Sequence, residues 1–182
     1  MATFVTLVRG INVAGARPLR MEALRGLYEG LGCRNVRSYL QSGNVVCEAG
    51  VREPAAHAAA VQRAILSEAG LEVSVAALTA RALTGVVAAN PLIGRRSVDP
   101  GFLHATFLIG ARSPSLDGIR LPLGPGEDAV LLDGVLFLYC PNGYGGTRIN
   151  NAYFERVLSV RATTRNWRTV TALERMARGE AA

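Results

Sequence analysis

Residues 141–148, Pro-Asn-Gly-Tyr-Gly-Gly-Thr-Arg, bring together groups that can bind an anion. The segment lies between an apolar run that ends at Cys140 and a helical pattern. Successive amides of a glycine-rich turn form a concave surface of donors, and a helix N-terminus adds a positive partial charge. The alternative interpretation is a plain strand-to-helix connection. The side chains that the segment offers to a ligand are those of Asn142, Tyr144, Thr147 and Arg148.

A second polar segment, residues 162–167, reads Ala-Thr-Thr-Arg-Asn-Trp and precedes the last helical pattern. One capping oxygen suffices for a helix N-terminus, whereas this segment carries three residues that can cap, an arginine and the only tryptophan. The indole ring can stack on a base, although a tryptophan in a helix more often fills the core. Capping and packing are the favoured interpretation. Ligand binding is the alternative for Thr163, Thr164, Arg165, Asn166 and Trp167.

A third set of polar residues lies where predicted strands end. Arg9 and Asn12 follow the first strand, and Gln41, Ser42 and Asn44 surround a predicted hairpin. Loops at strand ends commonly carry ligand-binding side chains, but asparagine and glycine are also ordinary turn residues. These five residues are candidate ligand contacts, with a turn-forming role as the favoured alternative.

The motifs of several catalytic classes are absent from the sequence. The Walker A pattern Gly-x4-Gly-Lys-Ser/Thr does not occur. Ser42 lacks both the Gly-x-Ser-x-Gly elbow and an identifiable histidine or acidic partner. Paired carboxylates for acid–base catalysis are not evident. The sequence therefore leaves open whether the protein is an enzyme.

Metal, cofactor and disulfide chemistry is not predicted either. Cys33, Cys47 and Cys140 are odd in number, far apart and without a Cys-x-x-Cys pair, which argues against a disulfide framework or a thiolate zinc site. His57 and His104 have no second ligand at metal spacing. We expect no metal site and no cofactor.

The composition is that of a protein with a sizeable core. Of the 182 residues, 49% are hydrophobic, and the mean hydropathy is +0.22. No apolar run approaches the ~18 residues that a membrane span needs. The first residues have no basic region before their apolar part, so they are typical of a first strand rather than a signal peptide. We expect a soluble cytoplasmic protein that does not contact membranes.

The net charge of +6 is concentrated at the two ends of the chain. Residues 1–40 carry six arginines against two glutamates, and residues 141–182 carry seven against three. All 20 basic residues are arginine, which either reflects a GC-rich genome or serves bidentate binding of phosphate and carboxylate. On the second interpretation, the two ends converge on one acidic ligand, with Arg9, Arg148 and Arg165 in a common pocket.

Hydrophobic periodicity predicts strand–helix–strand–strand–helix–strand in residues 1–78, the order of a ferredoxin-like split βαβ unit. Gly10 and Gly15 indicate a loop after the first strand, and Pro18 suits the start of the first helix. The predicted elements are a strand at 3–8, a helix whose apolar face is Leu24, Leu27, Tyr28 and Leu31 and which stops at Gly32, strands at 36–40 and 44–47, a helix at 54–69 closed by Gly70, and a strand at 71–77.

The second half, 79–182, has a similar predicted order. Asp133-Gly134 is a strong type I′ hairpin signal. The predicted elements are a helix at 79–89 capped by Thr79, a strand at 102–109, a short helix at 113–119, strands at 129–132 and 135–140, a helix with Ile149, Tyr153, Val157 and Leu158 on one face, a brief strand at 160–163 and a closing helix with Trp167, Val170, Leu173 and Ala177. We predict an α+β protein of two ferredoxin-like halves packed together, with an extra C-terminal helix and a boundary between residues 78 and 79.

Several of these motifs resemble a bacterial family known as domain of unknown function 1697. They span nearly the whole chain: residues 9–13, 38–45, 90–91, 142–145, 150–155 and 162–167. The resemblance implies paired ferredoxin-like halves but no substrate or catalytic residue, because the family is uncharacterised. Ala14 stands where a second glycine is common in the family, and Arg148 stands where lysine is common.

Three functions are compatible with these observations. The first is a site for a small phosphorylated or anionic ligand, formed by residues 141–148 and 162–167. The alternative is a nucleic-acid-binding module with a basic α+β surface, which the sequence pI of ≈ 9.9 favours and the 6% aromatic content disfavours. The third is a structural or protein-interaction role. The oligomeric state is left open.

Overall fold

The computed structural model describes residues 1–12, 19–95, 98–110 and 114–181. These residues form two four-stranded antiparallel sheets and five α-helices. The chain divides into two compact units, Met1–Gly85 with Ala172–Ala182, and Val86–Thr171. The predicted domains 1–78 and 79–182 stay a prediction. Gly15 and Pro18, which were expected in the first loop and helix start, lie outside the described residues, as does Ala14.

The first unit contains one sheet in the order β2-β3-β1-β4, in which all neighbours are antiparallel. Its strands are β1 (Ala2–Val8), β2 (Arg34–Tyr39), β3 (Asn44–Ala49) and β4 (Val75–Thr79). Its helices are α1 (Met21–Gly30) and α2 (Pro54–Ala69), followed by α3 (Ala80–Ala88), which begins in this unit.

Helices α1 and α2 cover one face of this sheet. Phe4 and Val45 of the sheet pack in a single cluster with Leu24 and Tyr28 of α1 and with Ile65 of α2. All five side chains are fully buried. Burial of apolar surface at about 25 cal/mol per Å2 is the main force that keeps the two helices on the sheet.

The ends of the first two helices follow local signals in the sequence. Helix α2 begins with Pro54 in its first turn and ends before Gly70, whose left-handed φ of 63° lets its amide bond to the Leu66 carbonyl. Both predicted bounds are therefore confirmed. Helix α1 stops at Gly30, so Leu31 lies beyond it and is exposed rather than on its apolar face.

Strand β4 differs from its predicted span of 71–77. It runs from Val75 to Thr79 because its partner β1 ends at Val8, which pairs with Val75. The Thr79 hydroxyl accepts from the Ala82 amide at 3.1 Å, which confirms the predicted cap of α3. The predicted position of this strand along the chain was correct, but its pairing with β1 determines where it begins and ends.

The second unit contains a sheet in the order β6-β7-β5-β8, again with antiparallel neighbours. Its strands are β5 (Leu103–Ile109), β6 (Asp128–Leu132), β7 (Val135–Tyr139) and β8 (Arg161–Asn166). Helix α4 (Asn151–Leu158) precedes β8, and α5 (Trp167–Ala177) begins at the end of this unit. Asp133 and Gly134 both have positive φ, which confirms the predicted hairpin turn.

One prediction in this unit is wrong, and another has bounds that are too short. Residues 114–119 of the predicted helix at 113–119 form a turn, and Ser113 lies outside the described residues. The Ser115 hydroxyl accepts a hydrogen bond from the Asp117 amide, and Gly118 has a φ of 74°. Both features are incompatible with a continuous helix. The strand predicted at 160–163 is present but runs from Arg161 to Asn166, because it pairs with β5 from Ile109 back to His104.

Among the described residues, no helix has the length and apolar character that crossing a bilayer requires.

Gly43 offers a direct test of the first sheet's packing. A Cβ here would lie 2.8 Å from Ile11 Cδ1 and 2.9 Å from Val8 Cβ, on a residue with a φ of +74°. We expect Gly43→Ala to lower the free energy of unfolding by roughly 1–3 kcal/mol in urea denaturation, through overpacking and backbone strain.

Gly26→Ala is the matched control, because a Cβ there meets no atom within 4 Å and the residue lies in α1. It should raise the free energy of unfolding by roughly 0.5–1 kcal/mol. Equal stability of the two variants would contradict the packing described for Gly43.

Candidate functional site

The hydroxyl of Tyr144 joins the glycine-rich loop to β8. It donates to Thr164 Oγ1 at 2.9 Å and accepts from the Asn151 amide at 3.2 Å. Thr164 Oγ1 donates in turn to Asn151 Oδ1 at 2.7 Å. Because that bond uses the only hydroxyl hydrogen of Thr164, Thr106 is the donor across the 2.6 Å contact between the two threonines. The loop at 141–148 and the segment at 162–167 therefore meet, as a positioning network.

His104 extends this network beneath Tyr144. The two rings stack with centroids 4.9 Å apart. His104 Nδ1 lies 3.1 Å from the Phe102 carbonyl, which can only accept, so Nδ1 carries the proton. Asn166 Nδ2, which donates to the Gly101 carbonyl, lies 3.4 Å from His104 Nε2. Burial lowers the pKa of His104, with a smaller opposing effect from the Phe102 carbonyl, so the ring is held neutral.

Three of the predicted ligand residues in this unit are buried. Thr147 and Thr163 are almost fully covered, and the Thr147 hydroxyl accepts from the Ile149 amide at 3.2 Å. Trp167 is only 4% exposed and packs edge-on against Phe137, with ring centroids 6.1 Å apart. This geometry favours the packing alternative for the tryptophan, since its ring offers no open face for a base.

Arg165 lies along its own strand. Its guanidinium donates to Thr163 Oγ1 at 2.7 Å and to the Thr164 carbonyl at 2.9 Å. Burial lowers the pKa of Arg165 to about 10, so the group stays charged at neutral pH. Asn166 serves as the cap that the sequence predicted, because its Oδ1 accepts from the Arg168 amide at 3.0 Å.

An open groove of about 570 Å3 lies beside the end of the glycine-rich loop. Its lining residues are Pro122, Arg148, Asn150, Ala152, Tyr153 and Arg156. The Arg156 guanidinium lies over the Tyr153 ring, 5.6 Å from its centroid. Within the described residues, neither Arg148 nor Arg156 forms a salt bridge, and both side chains are exposed.

Of the groove residues, only Arg148 was predicted from the sequence as a ligand contact. Asn150, Tyr153 and Arg156 were missed, although Tyr153 and Arg156 stand three positions apart in a predicted helix. Residues at that spacing lie on one helical face, and this signal could have identified the aromatic–arginine pair. Asn142, another predicted ligand residue, is exposed, and its amide makes a long contact of 3.5 Å with the Pro125 carbonyl.

The candidates in the first unit brace the turn between β2 and β3. Asn12 donates to the carbonyls of Leu19 and Gln41, both at 2.8 Å, and accepts from the Leu19 amide. Asn44 is buried and donates to the Tyr39 carbonyl at 2.9 Å and to Ser42 Oγ at 3.0 Å. The asparagine side chains therefore serve the turn itself, which is the alternative that the sequence favoured.

Arg9 is half-buried, and its amide donates to the Ser74 carbonyl at 2.8 Å. The predicted convergence of Arg9 with Arg148 and Arg165 concerns residues of different units and stays a prediction.

The fold also assembles a cluster that the spacing of its residues in the sequence does not predict. Cys33, Cys47 and His57 come together in the core of the first unit, with one potential ligand atom each within 4.8 Å of the others. Their separations in sequence fit no metal motif. The hairpin of β2 and β3 and the packing of α2 create the proximity.

Known proteins resemble this chain in sequence and in fold. Residues 1–137 match a family model described as "Protein of unknown function (DUF1697)". The chain belongs to the DUF1697 family. The resemblance predicted from the motifs is thereby confirmed, and the matched residues end before the glycine-rich loop and β8. No curated protein matches the chain.

A solved structure supports the same fold for this DUF1697 protein. The conserved bacterial protein SP0830 from Streptococcus pneumoniae superposes with a TM-score of 0.69 at 22% sequence identity. The likeness covers 97% of this chain and 98% of that one. At this identity, the likeness is one of fold alone.

Removal of the Tyr144 hydroxyl should destabilise the second unit. Tyr144→Phe leaves the Asn151 amide and the Thr164 hydroxyl each short of a partner, at an expected cost of roughly 1–2 kcal/mol in the free energy of unfolding. Urea denaturation measures this loss of free energy of unfolding. Tyr153→Phe is the control, because the Tyr153 hydroxyl bonds to the Arg120 carbonyl at an exposed position, 3.2 Å away. A loss as large in the control would refute the role given to the network.

The neutral His104 ring should make stability sensitive to acid. Its pKa is lowered in the folded protein, so its contribution is complete above the unfolded pKa of about 6.5 and is lost as the pH falls below it. This one group can change the free energy of unfolding by at most about 1.4 kcal/mol per pH unit. We expect His104→Gln to flatten the dependence of the unfolding free energy on pH between 6.5 and 5, measured in urea. If the wild type and His104→Gln show the same dependence of the unfolding free energy on pH, His104 does not make this contribution.

Proposed function

We propose that the second unit of this DUF1697 protein binds a small phosphorylated or otherwise anionic molecule in the groove lined by Arg148, Asn150, Tyr153 and Arg156. The observation that carries the proposal is the pair of guanidinium groups on one concave surface, without a carboxylate partner among the described residues. Like charges placed together without compensation raise the local anion concentration. An arginine fork also matches the paired oxygens of a phosphate or carboxylate.

The glycine-rich loop and β8 have different parts in this proposal. The loop delivers Arg148 to the groove and leaves Gly145 and Gly146 exposed beside it. Strand β8 contributes through Thr164, which fixes Tyr144 and thereby the loop. The segment at 162–167 is then a support for the site rather than a wall of it.

The Tyr153 ring adds a flat surface to the groove. It lies under Arg156 and next to Asn150, whose Oδ1 accepts from the Tyr153 amide at 3.1 Å. A ligand that joins an anionic group to a planar ring, such as a nucleotide, would use both features. A sugar phosphate would use the cations alone.

We also infer that each sheet with its helices is a ferredoxin-like unit. In the first unit, β3 lies between β1 and β2 and is antiparallel to both, so β1 and β2 run parallel on either side of it. That arrangement supports a split βαβ element. The second sheet has the equivalent strand order, and α4 connects β7 to β8, but the described residues between β5 and β6 contain no helix. The second unit therefore keeps the strand order of this pattern without its first helix.

The ligand hypothesis is tested by titration with inorganic phosphate, a sugar phosphate and a nucleoside monophosphate, followed by isothermal calorimetry and thermal shift. Loss of one bidentate charge-assisted contact should weaken binding by about tenfold or more in Arg148→Ala and in Arg156→Ala. Arg161→Ala is the charge-matched control, since Arg161 is exposed in the same unit and does not line the groove.

Equal affinities for all four proteins, or no binding, would remove the proposal. Titration with single-stranded and double-stranded nucleic acids provides a further arm. Binding that falls steeply with salt and weakens as much in Arg161→Ala as in Arg148→Ala would indicate the nucleic-acid alternative instead.

A further inference from the structure

The core of the first unit contains two thiols and an imidazole in contact with one another. Cys33 precedes β2, Cys47 lies in β3, and His57 is in the first turn of α2. Cys47 Sγ lies 3.6 Å from His57 Nε2, and Cys33 Sγ lies within 4.8 Å of both atoms. The three residues are 7%, 1% and 2% exposed, respectively. No element of the proposed anion site takes part in this cluster.

The surrounding side chains fix the imidazole so that Nε2 points at the sulfur. The His57 ring stacks on Phe4, with centroids 4.7 Å apart, and meets the edge of the Tyr28 ring at 6.0 Å. Tyr28 is itself anchored by a 2.5 Å hydrogen bond to the Thr6 hydroxyl. Aromatic contacts on two sides leave the ring little freedom to turn away.

We propose that Cys33, Cys47 and His57 form a site for one soft metal ion, and that the ion is Cu(I). The spacing is compatible with shared coordination. Metal–sulfur and metal–nitrogen bonds of about 2.3 and 2.0 Å place two ligands roughly 3.5–3.7 Å apart on one ion. The distance between Cys47 Sγ and His57 Nε2 is 3.6 Å. Cys33 completes a triangle with a small movement, since all three ligand atoms lie within 4.8 Å of one another.

The number and type of ligands select the ion. Thiolate sulfur and imidazole nitrogen are soft or borderline ligands, which suit Cu(I) and Zn(II) and not magnesium or calcium. Zinc in structural sites is almost always four-coordinate, and its three-ligand sites keep an open position for water. Burial of Cys33, Cys47 and His57 leaves no such opening to solvent. A monovalent ion that is satisfied by three ligands fits the cluster better.

Binding of Cu(I) displaces the thiol protons of the cluster. Cysteine binds a metal ion as the thiolate, so the S–H bonds of Cys33 and Cys47 are broken and both protons pass to solvent. With His57 as a neutral ligand, the centre carries one net negative charge, and copper keeps its oxidation state.

The test uses the full chain, reduced and kept free of oxygen. The protein is titrated with Cu(I) in competition with a chromophoric Cu(I) chelator, and native mass spectrometry gives the number of ions bound. We expect one Cu(I) per chain. The affinity should fall at least tenfold in Cys33→Ala, in Cys47→Ala and in His57→Phe, which keeps a ring against Phe4 but removes the nitrogen.

Cys140→Ala is the matched control, because Cys140 is also a free and fully buried cysteine but belongs to the second unit. Its affinity for Cu(I) should equal that of the wild type. Circular dichroism verifies that each variant is folded. If Cys47→Ala does not fold, the affinities of His57→Phe and Cys33→Ala for Cu(I) decide the question.

Three results would overturn the inference. They are the absence of stoichiometric Cu(I), undiminished binding in the cluster variants, and a loss in Cys140→Ala equal to theirs. A parallel titration with Zn(II) tests the choice of ion. Zinc bound more tightly than Cu(I) through the same residues would refute the assignment to a monovalent ion.

Discussion

The hydrogen bonds of the Tyr144 hydroxyl fix the one irregular segment on which the proposed anion site depends. A glycine-rich loop has many accessible backbone conformations, and its ordering costs conformational entropy. Tyr144 offsets that cost with one donor and one acceptor, both bonded within the second unit. Since Arg148 follows four residues later, the position of the cation is set by the hydroxyl of the half-buried Tyr144, which no ligand needs to touch. The stack on His104 covers the face of the same ring.

The polar side chains proposed from the sequence have different roles in the two units. In the first unit, Asn12 and Asn44 satisfy backbone groups of a hairpin, and their amides are used by the fold. In the second, Arg148 and Arg156 remain without such partners among the described residues. The contrast explains why turn-forming asparagines are weak indicators of function. An uncompensated cation on a concave surface is a stronger one.

The sequence predicted those features that local chemistry determines. Pro54 and Gly70 defined both ends of α2, and Asp133-Gly134 located the second hairpin. The bounds of β4 and β8 were not accessible, because each is set by the length of a partner strand that is distant in sequence. The turn at 114–119 was mistaken for a helix, since the bond from the Asp117 amide to Ser115 competes with helical pairing.

The candidate site was predicted in part for the same reason. Arg148 was identified from its own glycine-rich context, but the groove also needs Tyr153 and Arg156, which follow from the docking of a helix. Trp167 was considered as a stacking surface, yet it fills the core beside Phe137. Cys33, Cys47 and His57 could not be grouped from spacing, because a strand pair and a helix bring them together.

The two cations of the groove are both guanidinium groups, which has a consequence for how binding would respond to acidity. A guanidinium remains protonated throughout the range in which proteins stay folded. The walls of the groove would therefore present the same charge at pH 5 and pH 8. Any change in affinity for a phosphate monoester over that interval would report the ligand's second ionisation, near pH 6. The protein would then discriminate between the monoanion and the dianion without titrating a group of its own.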